Sequence, residues 1–146
     1  MPEKETLERA KQDKREGKAA STQAGEFVRE EIEHIREGKH GARSTKQAIA
    51  IGLSKARRAG VELPPSKNAS EETKEQAARD TRKAKSGRKG TKSAKRSRAT
   101  LNALKKEGHS AASKRALSRQ AHKAAKKRSA ASRSRSAKKA AATRKK

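Results

Sequence analysis

The chain has 146 residues, 42 of them Lys or Arg against 16 Asp or Glu, giving a formal net charge of +26 and a pI near 11.2. This length allows one ordinary domain, or one small domain with a tail, and the absence of cysteine excludes disulfides, thiolate chemistry and Cys-bearing zinc sites. No run approaches the roughly 18 apolar residues of a membrane span, and the polar start Met1-Pro2-Glu3-Lys4-Glu5 has no signal-peptide pattern, so a soluble, cytoplasmic protein is expected.

In chain order, residues 2–16 read as a short charged helix. Pro2 suits a first helical position, and Glu3 and Glu5 suit the positive end of the helix dipole. Leu7 is its one large apolar group, so fraying is expected before Gly17 ends it. Ser21 or Thr22 can then cap a helix running to about Glu37. Ala24, Phe27, Val28, Ile32 and Ile35 share one face of it at helical spacing, with Glu26, Arg29, Glu30 and Glu33 pointing elsewhere.

Gly38-Lys39-His40-Gly41 reads as a turn, and Ser44 as the cap of a second helix over about Thr45–Ala59. Its stripe is Ile49, Leu53 and Ala56, widened by Ala48 and Ile51. Gly60 and Pro64-Pro65 close the segment, and Val61 and Leu63 can fold back over the open end of the pair. The product is a helical hairpin over 21–63 with a core of Phe27, Val28, Ile32, Ile35, Ile49, Ile51 and Leu53. About 40 residues without a staple make a marginal fold, so self-association or a protein partner is expected, through the Phe27/Ile32/Ile49/Leu53 seam or the acidic face.

Residues 64–90 read as a polar linker holding a labile helix over about Ser70–Lys85, which has dipole-matched ends but no apolar face. Ser86-Gly87-Arg88-Lys89-Gly90 reads as a break. A basic helix–turn–helix-like arm is expected over 91–131: one helix from Ser93 to Glu107, then, after Gly108 and a Ser110 cap, another from Ala111 to Ala131. Residues 132–146, with Ser132-Arg133-Ser134-Arg135-Ser136, read as a disordered basic tail. The predicted fold class is therefore all-α, a small helical hairpin (after a charged helix over 1–20) followed by a largely disordered or conditionally helical Lys/Arg/Ala-rich arm.

Charge divides the chain more sharply than periodicity does. Residues 1–63 hold 14 basic and 11 acidic groups, whereas from Thr81 onward 25 basic residues face a single acid, Glu107. Large apolar residues thin out in parallel: eleven of type Ile, Leu, Val, Phe or Met lie in the first 63 positions, and only Leu101, Leu104 and Leu117 follow. Ordinary solubility needs a net charge of about 2–8. Duplex DNA carries one negative charge per ~1.7 Å, so a surplus of 24 cations matches roughly 40 Å of duplex.

Phosphate contacts are assigned to Arg88, Lys89, Lys92, Lys95, Arg96, Arg98, Lys105, Lys106, Lys114, Arg115, Arg119, Lys123, Lys126, Lys127 and Arg128. With one Phe and no Tyr or Trp, the stacking used by single-strand and RNA readers is not available. Double-stranded DNA therefore ranks ahead of RNA, with low sequence specificity.

One element recurs. Arg15-Glu16-Gly17-Lys18-Ala19-Ala20-Ser21, Arg36-Glu37-Gly38-Lys39-His40-Gly41 and Lys106-Glu107-Gly108-His109-Ser110-Ala111-Ala112 each place a basic–acidic–glycine trio before a small-residue turn. Helix punctuation in a biased composition and a reused helix–turn–helix unit both account for it. His34, His40, His109 and His122 read as surface or turn residues, with no metal site. No phosphate-binding loop is present and no serine has a placeable acid–base partner, so no catalytic residue, cofactor or small-molecule substrate is expected, and the protein is not read as an enzyme.

The runs GEFVREEIEHIREGKHG (Gly25–Gly41) and KQAIAIGLSKARRAG (Lys46–Gly60) resemble a family of small bacterial proteins of uncharacterised function, which supplies no activity. The Lys/Ala-rich tail around Ala137-Lys138-Lys139-Ala140-Ala141-Ala142 is similar in composition to linker-histone and bacterial histone-like tails. These readings lead to a histone-like, nucleoid-associated DNA-binding protein. Two alternatives stay open: an RNA- or ribosome-associated basic protein, and a protein-interaction adaptor using the hairpin.

Overall fold

The computed structural model describes residues 2–87 and 93–145. They form seven α-helices and one 3₁₀ turn, with no strand among the described residues: α1 (Lys4–Arg15), α2 (Ala20–Arg36), α3 (Thr45–Arg58), α4 (Glu71–Ser86), α5 (Ala94–Lys105), the 3₁₀ turn Ser110–Ala112, α6 (Lys114–Lys126) and α7 (Ala130–Arg144). None is long and apolar enough to cross a membrane.

The α2–α3 pair is the centre, as the apolar spacing predicts, but its seam is built differently. The buried residues of α3 are Thr45, Ala48, Gly52, Ala56 and Arg57, and the first four are small enough to let the two helix axes approach. At Gly52 a Cβ would come within 2.7 Å of the Val28 Cα, so any side chain there forces the helices apart. Ile49 and Ile51, expected in the core, are half-buried and belong to neither apolar cluster. Phe27, Ile32 and Ile35 are buried as expected, and Val28 and Leu53 pack against the core from its margin.

Two clusters result, one at each end of the pair. Ala10, Ala24, Phe27, Ala56 and Val61 form the first, with Leu7, Ala20, Leu53 and Leu63 packed on it. Val61 and Leu63 therefore do fold back over the open end, helped by Arg57 Nε donating to the Leu63 carbonyl at 2.8 Å. Ile32, Ile35, Ala42, Ala48, Ala111 and Ala112 form the second, with Val28 and Leu117 beside it. The arm thus closes one end of the core that the front half begins.

The flanking helices correct three expectations. α1 does not stand free: Thr6 and Ala10 are buried against α2, Arg9 Nε donates to Glu26 at 2.7 Å, and the Glu3 amide donates to Glu30 at 3.1 Å. Packing by small residues and charge–charge hydrogen bonds leaves no apolar period to read. As a consequence Glu30 and Glu31 are buried, where a solvent-facing acidic face was expected for the helix.

α4, expected as a labile helix without an apolar face, docks on α3 through Ala77 and the buried carboxylate of Asp80. Asp80 accepts from Ser54 Oγ at 2.6 Å, Arg58 Nε at 2.8 Å and Gln76 Nε2 at 3.2 Å. Burial works to raise the Asp80 carboxyl, but the hydrogen bonds from Ser54 and Arg58 and the Arg58 charge outweigh it and hold it below its ordinary value.

The third correction concerns the arm. Expected as largely disordered or conditionally helical, it is helical: α5, α6 and α7 run through 94–105, 114–126 and 130–144, the last covering most of the expected disordered tail. Ser93, Ser113 and Ser129 accept the backbone N–H of Arg96, Ala116 and Ser132 at 3.3, 3.1 and 3.1 Å, and the interiors are rich in Ala, Lys and Arg, all strong helix formers. The serines that read as low-complexity filler are caps. Ser44 caps α3 as expected and Ser70 caps α4 likewise, whereas α2 begins after Ala19 with no side-chain cap rather than at Ser21 or Thr22.

Candidate nucleic-acid interface

The arm is fixed to the body at one turn. The Gly41 amide donates to the Leu104 carbonyl at 2.9 Å and the Ala42 amide to the Gly108 carbonyl at 3.1 Å. Thr45 Oγ1 donates to the Ala111 carbonyl at 2.7 Å, and Arg36 Nε to the Ala112 carbonyl at 2.9 Å. Four donors from the α2–α3 connection thus satisfy carbonyls of the α5–α6 connection, where a helix end otherwise leaves carbonyls unpaired. Two of the three recurring elements, those around Gly38 and Gly108, meet at this junction. They differ in detail, because Gly38 is left-handed (φ 77°) and Gly108 is not.

Beyond the junction, the helices carry charge and bury almost nothing: α5, α6 and α7 have no buried residue. On α6, Leu117 leans on the core, while Arg115, Arg119 and Lys123 follow one another at i, i+4 and i+8 on the side away from it. On α5, Lys95, Arg98 and Lys105 share a face, with Lys106 just after the helix end.

Of the fifteen phosphate-contact positions predicted from sequence, Arg88, Lys89 and Lys92 lie outside the described residues. The other twelve (Lys95, Arg96, Arg98, Lys105, Lys106, Lys114, Arg115, Arg119, Lys123, Lys126, Lys127 and Arg128) are all exposed. None of the twelve pairs with a carboxylate of the described residues, whereas Arg9, Lys18, Arg29, Lys39, Lys55, Arg58, Lys74 and Arg79 of the body all do. Arg128 is partly used within the chain, its guanidinium bonding the Ser132 carbonyl and hydroxyl at 3.1 and 3.0 Å and also the Ser136 hydroxyl. α7 adds Arg133, Arg135, Lys138, Lys139 and Arg144 in helical order, within the stretch expected as a tail, and the sequence signal for it is Ser129, three residues before Ser132.

The body holds a second polar constellation. Glu31 and His34 lie one helical turn apart on α2, and the left-handed turn at Gly38 brings His40 back beside them. Donor atoms of Glu31, His34 and His40 lie within 4.8 Å of one another, and Glu31 and His40 are buried. His40 lies in the turn, as expected, but is buried there, and His34 is half-buried on α2 rather than on the open surface. The turn that carries His40 folds inward, which no spacing rule conveys.

Residues 11–67 match the model of a family of unknown function, DUF6496. The match takes in the end of α1, α2, α3 and the chain to Lys67, and leaves the arm outside it; both runs that carry the sequence resemblance lie within it. No curated protein and no solved structure matches the chain.

Proposed function

We propose that the chain is a non-enzymatic nucleic-acid-binding protein of low sequence specificity, with duplex DNA as its ligand and the α5–α7 arm as its phosphate-contacting surface. The carrying observation is an asymmetry of pairing: Arg9, Lys18, Arg29, Lys39, Lys55, Arg58, Lys74 and Arg79 of the body are tied to carboxylates, while the twelve described cations assigned to phosphate have no carboxylate partner among the described residues. Unpaired, like-signed groups on consecutive helices repel one another, and a polyanion removes that repulsion while its released counterions supply affinity. Helices present cations at regular spacing, and helix starts such as those after Ser113 and Ser129 add backbone N–H groups that suit phosphate.

The chain has one Phe, and it is buried, so base stacking is not offered to a single strand. This favours duplex over single-stranded RNA. A bacterial nucleoid location and a histone-like role follow from that reading and stand or fall with it. Binding of the intact chain and of an Arg115→Gln/Arg119→Gln/Lys123→Gln variant to duplexes of unrelated sequence tests the proposal. The expected result is comparable affinity among duplexes and a uniform loss in the variant. Stronger binding to ribosomal RNA at equal salt, or an unweakened variant, would overturn it.

A further inference from the structure

The cluster at the His40 turn is short of positive charge and has polar atoms without partners. Among the described residues, Glu3, Glu30, Glu31 and Glu37 face only Lys39 and Lys55 as fixed cations, two positive charges to four negative ones. Lys55 takes one oxygen of Glu31, its Oε1. The other, Oε2, makes no hydrogen bond although it is fully buried, and Glu30 Oε1 is in the same position.

His40 shows what is aimed at Glu31 Oε2. Its Nδ1 faces the Gly41 carbonyl at 2.9 Å, and a carbonyl only accepts, so Nδ1 carries the hydrogen. In the neutral ring Nε2 is then a lone pair, and it faces Glu31 Oε2 at 3.1 Å. Two lone pairs at that distance need a proton or a metal ion between them. The arrangement, a histidine donating from one nitrogen to a backbone carbonyl and offering the other, is the outer-shell pattern of metal-ligating histidines.

We propose that Glu31, His34 and His40 bind one divalent transition-metal ion of the zinc class. Zinc with ligands at about 2.0–2.2 Å spaces tetrahedral donors about 3.4 Å apart. The His40–Glu31 pair is already close to that spacing, and the limit of 4.8 Å on the other pairs leaves a contraction of at most about 1.4 Å. Two imidazoles and one carboxylate suit zinc and its neighbours over magnesium or calcium, which prefer all-oxygen sets. The spacing Glu-x-x-His on one helix puts both donors on one face. The ion would join α2 to the turn that holds the arm, a staple in a chain without disulfides.

The test is titration of the full chain with Zn²⁺ alone, with no nucleic acid present, alongside the visible spectrum of the Co²⁺-loaded chain. One saturable site per chain, intense tetrahedral Co²⁺ bands and a rise in Tm on adding Zn²⁺ are expected. Glu31→Gln and His40→Gln should each weaken binding at least ~10–100-fold, as loss of even an outer-shell partner does, while His122→Ala on the exposed arm leaves it unchanged. No saturable site, weak octahedral Co²⁺ bands, or affinity unaffected by Glu31→Gln would overturn the proposal and leave an imidazolium–carboxylate pair at His40. The Co²⁺ spectrum uses the unaltered chain, so it decides even if His40→Gln does not fold.

Discussion

Gly41 and Glu107 meet so closely that no side chain fits between them: a Cβ at Gly41 would lie 2.0 Å from the Glu107 carbonyl oxygen and 2.6 Å from that of Gly108. Both neighbours are backbone, so neither can swing aside. The contact sits where the α5–α6 connection meets the body, and makes glycine obligatory there for a reason other than its φ.

Gly41→Ala should therefore unlatch the arm without unfolding the helices. The hydrogen bonds from the Gly41 and Ala42 amides would be lost, at about 0.5–1.5 kcal/mol each, and Ala111 and Ala112 would lift from the core. Hydrogen exchange should show faster exchange at Gly41 and Ala42, while circular dichroism retains most of the helix signal. Unchanged protection of both amides would show that the turn is not held this way.

Asp80 should behave as the anchor of α4. Its carboxyl is held below the ordinary Asp value of 3.8, so the stabilisation it gives is fully present above that value and is lost as pH falls through the lower folded value. Asp80→Asn should cost roughly 1–3 kcal/mol at neutral pH, and the Tm gap between the two chains should narrow below about pH 4. A gap independent of pH between 2 and 6 would show that the carboxylate charge is not what holds α4.

The division of the core between large and small residues predicts unequal costs. Phe27→Ala removes a buried aromatic and should cost about 3–5 kcal/mol in urea unfolding. Ile49→Ala, at a half-buried position outside both clusters, should cost under about 1.5 kcal/mol. Equal losses would place Ile49 in the seam after all.

These unequal costs follow the line between what the sequence made readable and what it did not. Phe27, Ile32 and Ile35 are large and recur at helical spacing, so the buried face of α2 was legible, and so was the Ser44 cap. The facing side of α3 was not, because Ala48, Gly52 and Ala56 pack by being small, and a hydrophobicity pattern rewards Ile49 and Ile51 instead. α1 and α4 escaped for a related reason: Thr6, Asp13 and Asp80 are buried polar groups, and the burial of Asp80 is made tolerable by Ser54 and Arg58 of another helix. Thr45 and Ala111 are 66 residues apart, a pairing beyond any local rule. The basic surface was legible because charge needs no fold to be counted. Its helices were underestimated because capping serines resemble those of a low-complexity tail, and the Glu31/His34/His40 cluster was missed because it depends on the path of a turn.

The Phe27/Ile32/Ile49/Leu53 seam, read from sequence as a surface for a second copy or a partner, is closed within the chain at Phe27 and Ile32. Truncating the arm to isolate the front half would also remove Ala111 and Ala112 from the core. Charge-neutralising substitutions in the intact chain are for that reason the cleaner way to separate the two halves.

The most direct test is the affinity for a duplex as a function of salt, for the intact chain and the Arg115→Gln/Arg119→Gln/Lys123→Gln variant. Phosphate contact by the arm predicts that log affinity falls linearly with log salt at about −0.9 per phosphate neutralised, and that the variant's slope is shallower by about 2.7. A slope near zero, or one that the three substitutions leave unchanged, would contradict the assignment of the arm as the phosphate-binding surface.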